Sequence, residues 1–166
     1  MKIAIMYKSV TGNTKKIAEQ IKNTLKDEEI VYFGEPNTEI NANIYFIGSW
    51  TFKGDVVKEV VDVLKNLKDK KIALFGTAGF GGSQEYFDKL YERAKTNIDS
   101  SNHLLGYFYC QGKMPMTVRD KYIDLIKQNP EDKNLQVSLD NFDKALTHPD
   151  KEDLDNVSAW TQEIIK

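Results

Sequence analysis

Five short apolar runs, most of them followed by a segment with helical spacing, organise this chain. The runs hold few polar residues, whereas a strand with one face in water alternates apolar and polar positions. We therefore predict strands that are buried on both faces, as in a parallel sheet covered by helices. The five runs are Ile3–Tyr7, Ile30–Phe33, Asn43–Gly48, Lys71–Gly76 and Leu104–Cys110.

The segments between the runs carry apolar residues three and four positions apart, which predicts amphipathic helices packed on the sheet. A closing helix is predicted after Asp150, a residue suited to the N-cap. The irregular stretch Gly112–Pro149 contains a predicted helix over 118–126, ended by Pro130, and one further turn over Asn141–Leu146. The apolar stripes are Ile17, Ala18, Ile21 and Leu25; Val56, Val57, Val60, Val61 and Leu64; Tyr86, Phe87, Leu90, Tyr91 and Ala94; and Leu154, Val157, Trp160, Ile164 and Ile165.

Successive βα units predict an α/β fold with a doubly wound, five-stranded parallel sheet and right-handed crossovers. The 166 residues suit one hydrophobic core. No repeat or low-complexity linker divides the chain, so we predict a single domain over residues 1–166.

Composition excludes several classes of protein. The 23 basic and 25 acidic residues nearly balance, which argues against a general nucleic-acid binder. No apolar run approaches the roughly 20 residues that span a bilayer.

The only cysteine, Cys110, excludes an internal disulfide and ends a predicted buried strand, so we interpret it as an inert core thiol. His103 and His148 lie far apart and give no metal signature; we expect the first to face solvent and the second to be structural. A cytoplasmic protein is expected.

Acidic residues are concentrated towards the C-terminus. The segment Glu131–Asn156 contains eight acidic residues and three lysines, so the rest of the chain is net positive. Two interpretations of this segment stay open, a solvated loop with a helix start and a docking surface.

A hydroxyl-rich turn, Ser9–Thr14, separates the first predicted strand from the first predicted helix. Backbone N–H groups, hydroxyls and the positive end of the helix would converge there on one spot, which suits a phosphate. An ordinary N-cap is the alternative, because Thr and Asn favour that position. The turn lacks the glycine and lysine pattern of a nucleoside-triphosphate loop and the G-x-G-x-x-G of a dinucleotide fold.

Three more loops are predicted at the same edge of the sheet as this turn, where doubly wound folds bind their ligands. Two of them place Trp50, Phe52 and Phe80 beside glycines, which suits a planar heteroaromatic ligand that stacks on aromatic faces. The alternative is that these rings fold back onto the core. Together with a phosphate turn, the loops favour a phosphorylated planar ligand. They are Ser49–Asp55, Thr77–Ser83 and Gln111–Pro115.

Four motifs resemble those of the flavodoxin family, and the resemblance extends over essentially the whole chain. The first, T-G-N-T at residues 11–14, is the specific one. The others are W-x-x-x-G-D at 50–55, F-G-T-A-G at 75–79 leading to S-x-E-Y-F at 83–87, and H-P-D-x-x-D-L at 148–154. The resemblance implies the strand order 2-1-3-4-5 with FMN at the switch point, which is that family's own arrangement.

The resemblance also implies a set of FMN-binding residues. The phosphate would be held by Ser9, Thr11, Gly12, Asn13 and Thr14. The isoalloxazine ring would be held by the backbone of two loops, Ser49, Trp50, Thr51, Phe52, Lys53, Gly54 and Asp55 in the first and Thr77, Ala78, Gly79, Phe80, Gly81 and Gly82 in the second. In the family a glycine peptide can rotate so that its carbonyl accepts a hydrogen bond from ring nitrogen N5 after reduction, and Gly54 is the match.

The function implied is that of a monomeric carrier that moves single electrons between a donor protein and a reductase. The near-neutral charge, with Lys53 and Lys113 beside the predicted flavin edge, predicts that this reductase is one dedicated partner. The chain departs from the family's habits in two ways, since Gln84 stands where a stacking tyrosine is common and the net charge is only −2. Two alternatives stay open. One is an NAD(P)H-dependent quinone or flavin reductase that uses Gly112–Pro149 as a nicotinamide-binding insertion, and the other is an FMN-binding module without electron traffic.

Overall fold

A computed structural model describes all 166 residues. Five strands form one parallel sheet in the order β2-β1-β3-β4-β5, which confirms the predicted fold class and strand order. The strands are β1 (Ile3–Lys8), β2 (Ile30–Gly34), β3 (Ile44–Trp50), β4 (Lys71–Ala78) and β5 (His103–Gln111). The helices are α1 (Asn13–Thr24), α2 (Lys58–Asn66), α3 (Gln84–Lys95), α4 (Met116–Gln128), α5 (Lys133–Ala145) and α6 (Lys151–Ile164).

Helices cover both faces of the sheet, which explains the continuous apolar runs. Successive residues of a strand point to opposite faces, so Ala4 and Met6 of β1 pack towards α2 and α3, while Ile3 and Ile5 pack towards α1 and α6. Central strands β1, β3 and β4 are buried on both sides as predicted.

The two edge strands are more exposed than the prediction of full burial allowed. Most residues of β2 and β5 are only half-buried, because each has a neighbouring strand on one side only and the helices do not cover it completely. Cys110 is buried as predicted, and His103 is exposed.

The segment after β5 contains more helix than predicted. The predicted helix over 118–126 is confirmed as α4. The predicted turn at Asn141–Leu146 is instead the end of a 13-residue helix, because Asn141–Ala145 belong to α5 and only Leu146 lies in the turn after it. Leu135, Leu139 and Phe142 carry the helical spacing that indicates this helix. Its N-cap is Asp132, whose carboxylate accepts from Asn134 N.

Helix α6 begins at a reciprocal cap, as predicted for Asp150. The Asp150 side chain accepts from Asp153 N, and the Asp153 side chain accepts from Asp150 N, both at 2.9 Å. His148 Nδ1 lies 2.6 Å from Asp153 Oδ2, which gives this histidine the structural role predicted for it. None of the six helices combines the length and apolarity needed to cross a bilayer.

Candidate functional site

The loops after β1, β3, β4 and β5 meet at the carboxyl edge of the sheet and enclose a pocket of about 360 Å³. This volume lies in the range of small-molecule sites. Ten residues predicted for the site line it, namely Thr11, Asn13, Trp50, Thr51, Phe52, Lys53, Thr77, Ala78, Gly79 and Phe80. The convergence of loops expected from the sequence is therefore present.

The loop after β5 and the start of α4 supply a further wall of the pocket. The sequence placed this loop at the same edge but did not assign its residues to the site. Met114 packs so closely on Gly79 that a Cβ there would lie 2.4 Å from Met114 Cγ. The carbonyl of Lys113 accepts from Asn13 Nδ2 at 2.8 Å, which ties this wall to the start of α1. The lining residues missed are Val10, Gly112, Lys113, Met114, Pro115 and Val118.

Eight predicted residues do not line the pocket. Two of them are buried supports: Thr14 shares a 2.9 Å hydrogen bond between hydroxyls with Thr77, and Ser49 accepts from Val57 N and donates to Trp50 O. Gly81 and Gly82 line an adjacent cavity of about 470 Å³ instead. The remaining four are Ser9, Gly12, Gly54 and Asp55.

The turn before α1 leaves the helix N-terminus without a side-chain cap. Gly12 occupies the N-cap position with φ 92°, and its N–H donates to Ser9 Oγ at 3.1 Å. Helices α3, α5 and α6 have side-chain caps, whereas α2 and α4, like α1, have none. The interpretation of Thr or Asn as an ordinary N-cap is therefore wrong here. The first N–H groups of α1 have no intrahelical partner, and with the helix dipole they favour an anion.

The aromatic residues of the loops face the pocket to different extents. Phe52 and Phe80 are among the exposed large apolar side chains, so neither folds back onto the core. Trp50 is half-buried, packs partly on the core and lies 5.4 Å from Phe52 between ring centroids. Phe80 meets Tyr122 of α4 edge-on at 6.5 Å. The pocket thus has aromatic groups on two walls.

A tight turn forms the lip of the pocket beside Trp50. Lys53 and Gly54 both have positive φ, 51° and 75°. Phe52 and Asp55 exchange two backbone hydrogen bonds across them at 3.0 and 3.1 Å. Arg93 of α3 donates from Nη1 to Gly54 O at 3.0 Å, a contact that sequence reasoning missed because the two residues are 39 positions apart.

The hydroxyl and ionisable side chains of the pocket lining are three threonines and two lysines. Its only ionisable side chains are Lys53 and Lys113. Cys110 lies nearby in β5, where burial raises the pKa of its thiol well above the usual value and disfavours the thiolate.

Comparison with known proteins shows which family has this fold and these loops. The family described as "Flavodoxin domain" matches residues 4–162. The chain belongs to the flavodoxin family. A flavodoxin-like domain-containing protein named BilS from Clostridioides difficile is 34% identical, with 99% of this chain and 97% of that protein covered. A protein of the same name from Clostridium symbiosum is 37% identical, with 93% and 90% covered.

Solved flavodoxin structures share the fold. The crystal structure of oxidised flavodoxin 2 from Bacillus cereus superposes with a TM-score of 0.55 at 23% identity and covers 99% of this chain and 98% of its own. Flavodoxin 1 of the same organism gives the same TM-score at 16% identity, with 99% and 97% covered. At this level of identity the likeness concerns the fold alone.

Proposed function

We propose that this protein binds FMN in the pocket and carries single electrons between redox proteins. The observation that carries the proposal is the pocket itself, which joins an uncapped helix N-terminus to exposed aromatic side chains. Family membership supports a flavin. When bound, FMN supplies one-electron chemistry with proton uptake at ring nitrogen N5.

The residues present fit the two ends of FMN. At one end, the turn before α1 offers free N–H groups and the Thr11 hydroxyl to a phosphate, and Asn13 holds this turn to the loop after β5 through Lys113 O. At the other end, Trp50 and Phe52 on one side and Phe80 on the other provide apolar surface for a planar ring. The chain's part is to bind, orient and partly desolvate the ring.

Exposed apolar side chains around the pocket support docking of a protein partner. Val10, Phe52 and Phe80 line the pocket and are 67%, 51% and 47% exposed; Met116, beside the lining residue Pro115, is 55% exposed. Exposed apolar patches mark interaction surfaces. The nearby charges of Lys53 and Lys113 are positive. We infer that a dedicated reductase docks here mainly by shape and apolar contact.

One observation favours a second candidate, a reductase that takes hydride from NAD(P)H. The adjacent cavity lies between the loop after β4 and helix α5, which belongs to the predicted insertion. Its walls offer Ser83, Asn141 and Lys144 from these two segments and Gln111 from the end of β5. A nicotinamide nucleotide bound there would lie beside the FMN pocket, since Phe80 lines both.

The two functions are separated by the source of electrons. FMN-loaded protein is titrated anaerobically with dithionite and, separately, mixed with excess NADPH or NADH. The flavin of a carrier is reduced by dithionite and reoxidised by air, and NADPH or NADH without a partner protein does not reduce it. Rapid turnover with a nucleotide and a free quinone would instead establish the reductase.

A further inference from the structure

Arg93 holds a backbone carbonyl at the lip of the pocket. It lies in the last turn of α3 and donates from Nη1 to Gly54 O at 3.0 Å. Arg93 takes part in none of the ion pairs of the structure, so its guanidinium serves this carbonyl rather than a carboxylate. A Cβ at Gly54 would lie 2.7 Å from the same nitrogen, which shows how closely the guanidinium approaches the turn.

The peptide between Gly54 and Asp55 is fixed at both of its polar ends. Its carbonyl accepts from Arg93, and its N–H, on Asp55, donates to Phe52 O at 3.1 Å. Rotation of this peptide plane would break both hydrogen bonds. Phe52 and Lys53 line the pocket while Gly54 does not, so the carbonyl is held towards α3 instead of contributing to the pocket wall.

We propose that Arg93 is a positioning residue that lowers the redox potential of the bound flavin by holding the Gly54 carbonyl away from it. The proposal rests on the function proposed above. Bound FMN would supply a first reduction in which one electron comes from the reductant and one proton from solvent is added at N5. The N–H formed there would donate a hydrogen bond to a carbonyl oxygen placed at the lip. Arg93 opposes the rotation that would bring that carbonyl into place, and the reduced state is therefore less stabilised.

The direction in which the potential changes on replacing Arg93 distinguishes the positioning role from the effect of its positive charge alone. Replacing Arg93 by Met frees the peptide, so the first one-electron potential rises. Loss of a positive charge alone acts in the opposite direction, because a cation near the flavin favours the added electron. Lys89→Met is the matched control, since Lys89 lies one turn earlier on α3, pairs with Glu85 and makes no hydrogen bond to the turn.

The test measures potentials of the FMN-loaded wild type, Arg93→Met and Lys89→Met by dithionite titration against reference dyes. It also measures hydrogen exchange of the Asp55 amide in the flavin-free proteins. We expect Arg93→Met to shift the first one-electron equilibrium about tenfold towards reduction, about 59 mV for one electron, and to speed Asp55 exchange. We expect Lys89→Met to do neither.

An unchanged or lowered potential in Arg93→Met overturns the proposal. Faster Asp55 exchange with an unchanged potential also overturns it, because Arg93 would then only stabilise the turn. Failure of the wild type to bind FMN is a distinct result. It refutes the proposed function, and with it the flavin role of Arg93, while the exchange rates still report whether Arg93 holds the peptide.

Discussion

Trp50 divides its contacts between the core and the pocket, and this makes it the most informative single residue of the site. An indole in contact with the flavin ring quenches flavin fluorescence. We expect Trp50→Ala to restore emission or release the flavin, whereas Trp160→Ala, which removes a ring packed on Phe46 and Phe108, lowers only the free energy of unfolding, by about 3 kcal/mol.

For both variants we would measure flavin fluorescence, flavin affinity and the free energy of unfolding by denaturation. If Trp50→Ala leaves emission, affinity and both potentials unchanged, Trp50 serves the core alone and the aromatic wall consists of Phe52 and Phe80.

Among the helices, α6 depends most clearly on a local device, the reciprocal cap between Asp150 and Asp153. The backbone N–H of Asp153 holds the pKa of the Asp150 carboxyl below its usual value of 3.8. A lowered folded-state pKa adds stability above the unfolded-state pKa and loses it as the pH falls further. We expect Asp150→Ala to lower the midpoint of chemical denaturation at pH 7 and to have a smaller effect at pH 3.

Asp155→Ala is the control for this helix, since Asp155 makes only an exposed pair with Lys151. We expect it to change the midpoint little at either pH. An equal loss for Asp150→Ala at both pH values would show that the carboxylate charge contributes nothing to the cap.

The charge of the whole molecule decides how partners approach. The net charge is −2, and the lysines at the pocket are positive, so little long-range field is present to steer a partner. We expect electron transfer to a generic flavodoxin acceptor to be slow. We expect the rate of this transfer to change less than about threefold when added salt shortens the Debye length from about 30 to 3 Å. Fast transfer to several unrelated acceptors, falling steeply with salt, contradicts dedicated docking.

The sequence predicted the fold well because its signals are local. Apolar runs locate the five strands, and the resemblance supplies their order. Loops after β1, β3 and β4 bring ten predicted residues to one pocket. Helix α5 was missed even though its sequence carries a helical signal in the spacing of Leu135, Leu139 and Phe142.

The sequence could not predict which way a side chain points or which distant residues make contact. Thr11 and Thr14 look equivalent in the turn, yet Thr11 lines the pocket and Thr14 is buried against Thr77. The contact of Arg93 with Gly54 depends on how α3 packs beside the turn at the lip of the pocket. No spacing rule within either segment predicts it.

The central claim is that the turn before α1 binds the phosphate of FMN, and titration calorimetry of flavin-free protein tests it directly. FMN and riboflavin share the ring and differ in the phosphate. Hydrogen bonds to a charged group contribute roughly 1.5–3 kcal/mol each, so two of them predict that riboflavin binds at least about a hundredfold more weakly. Equal affinities for the two compounds would contradict the assignment of the turn to the phosphate.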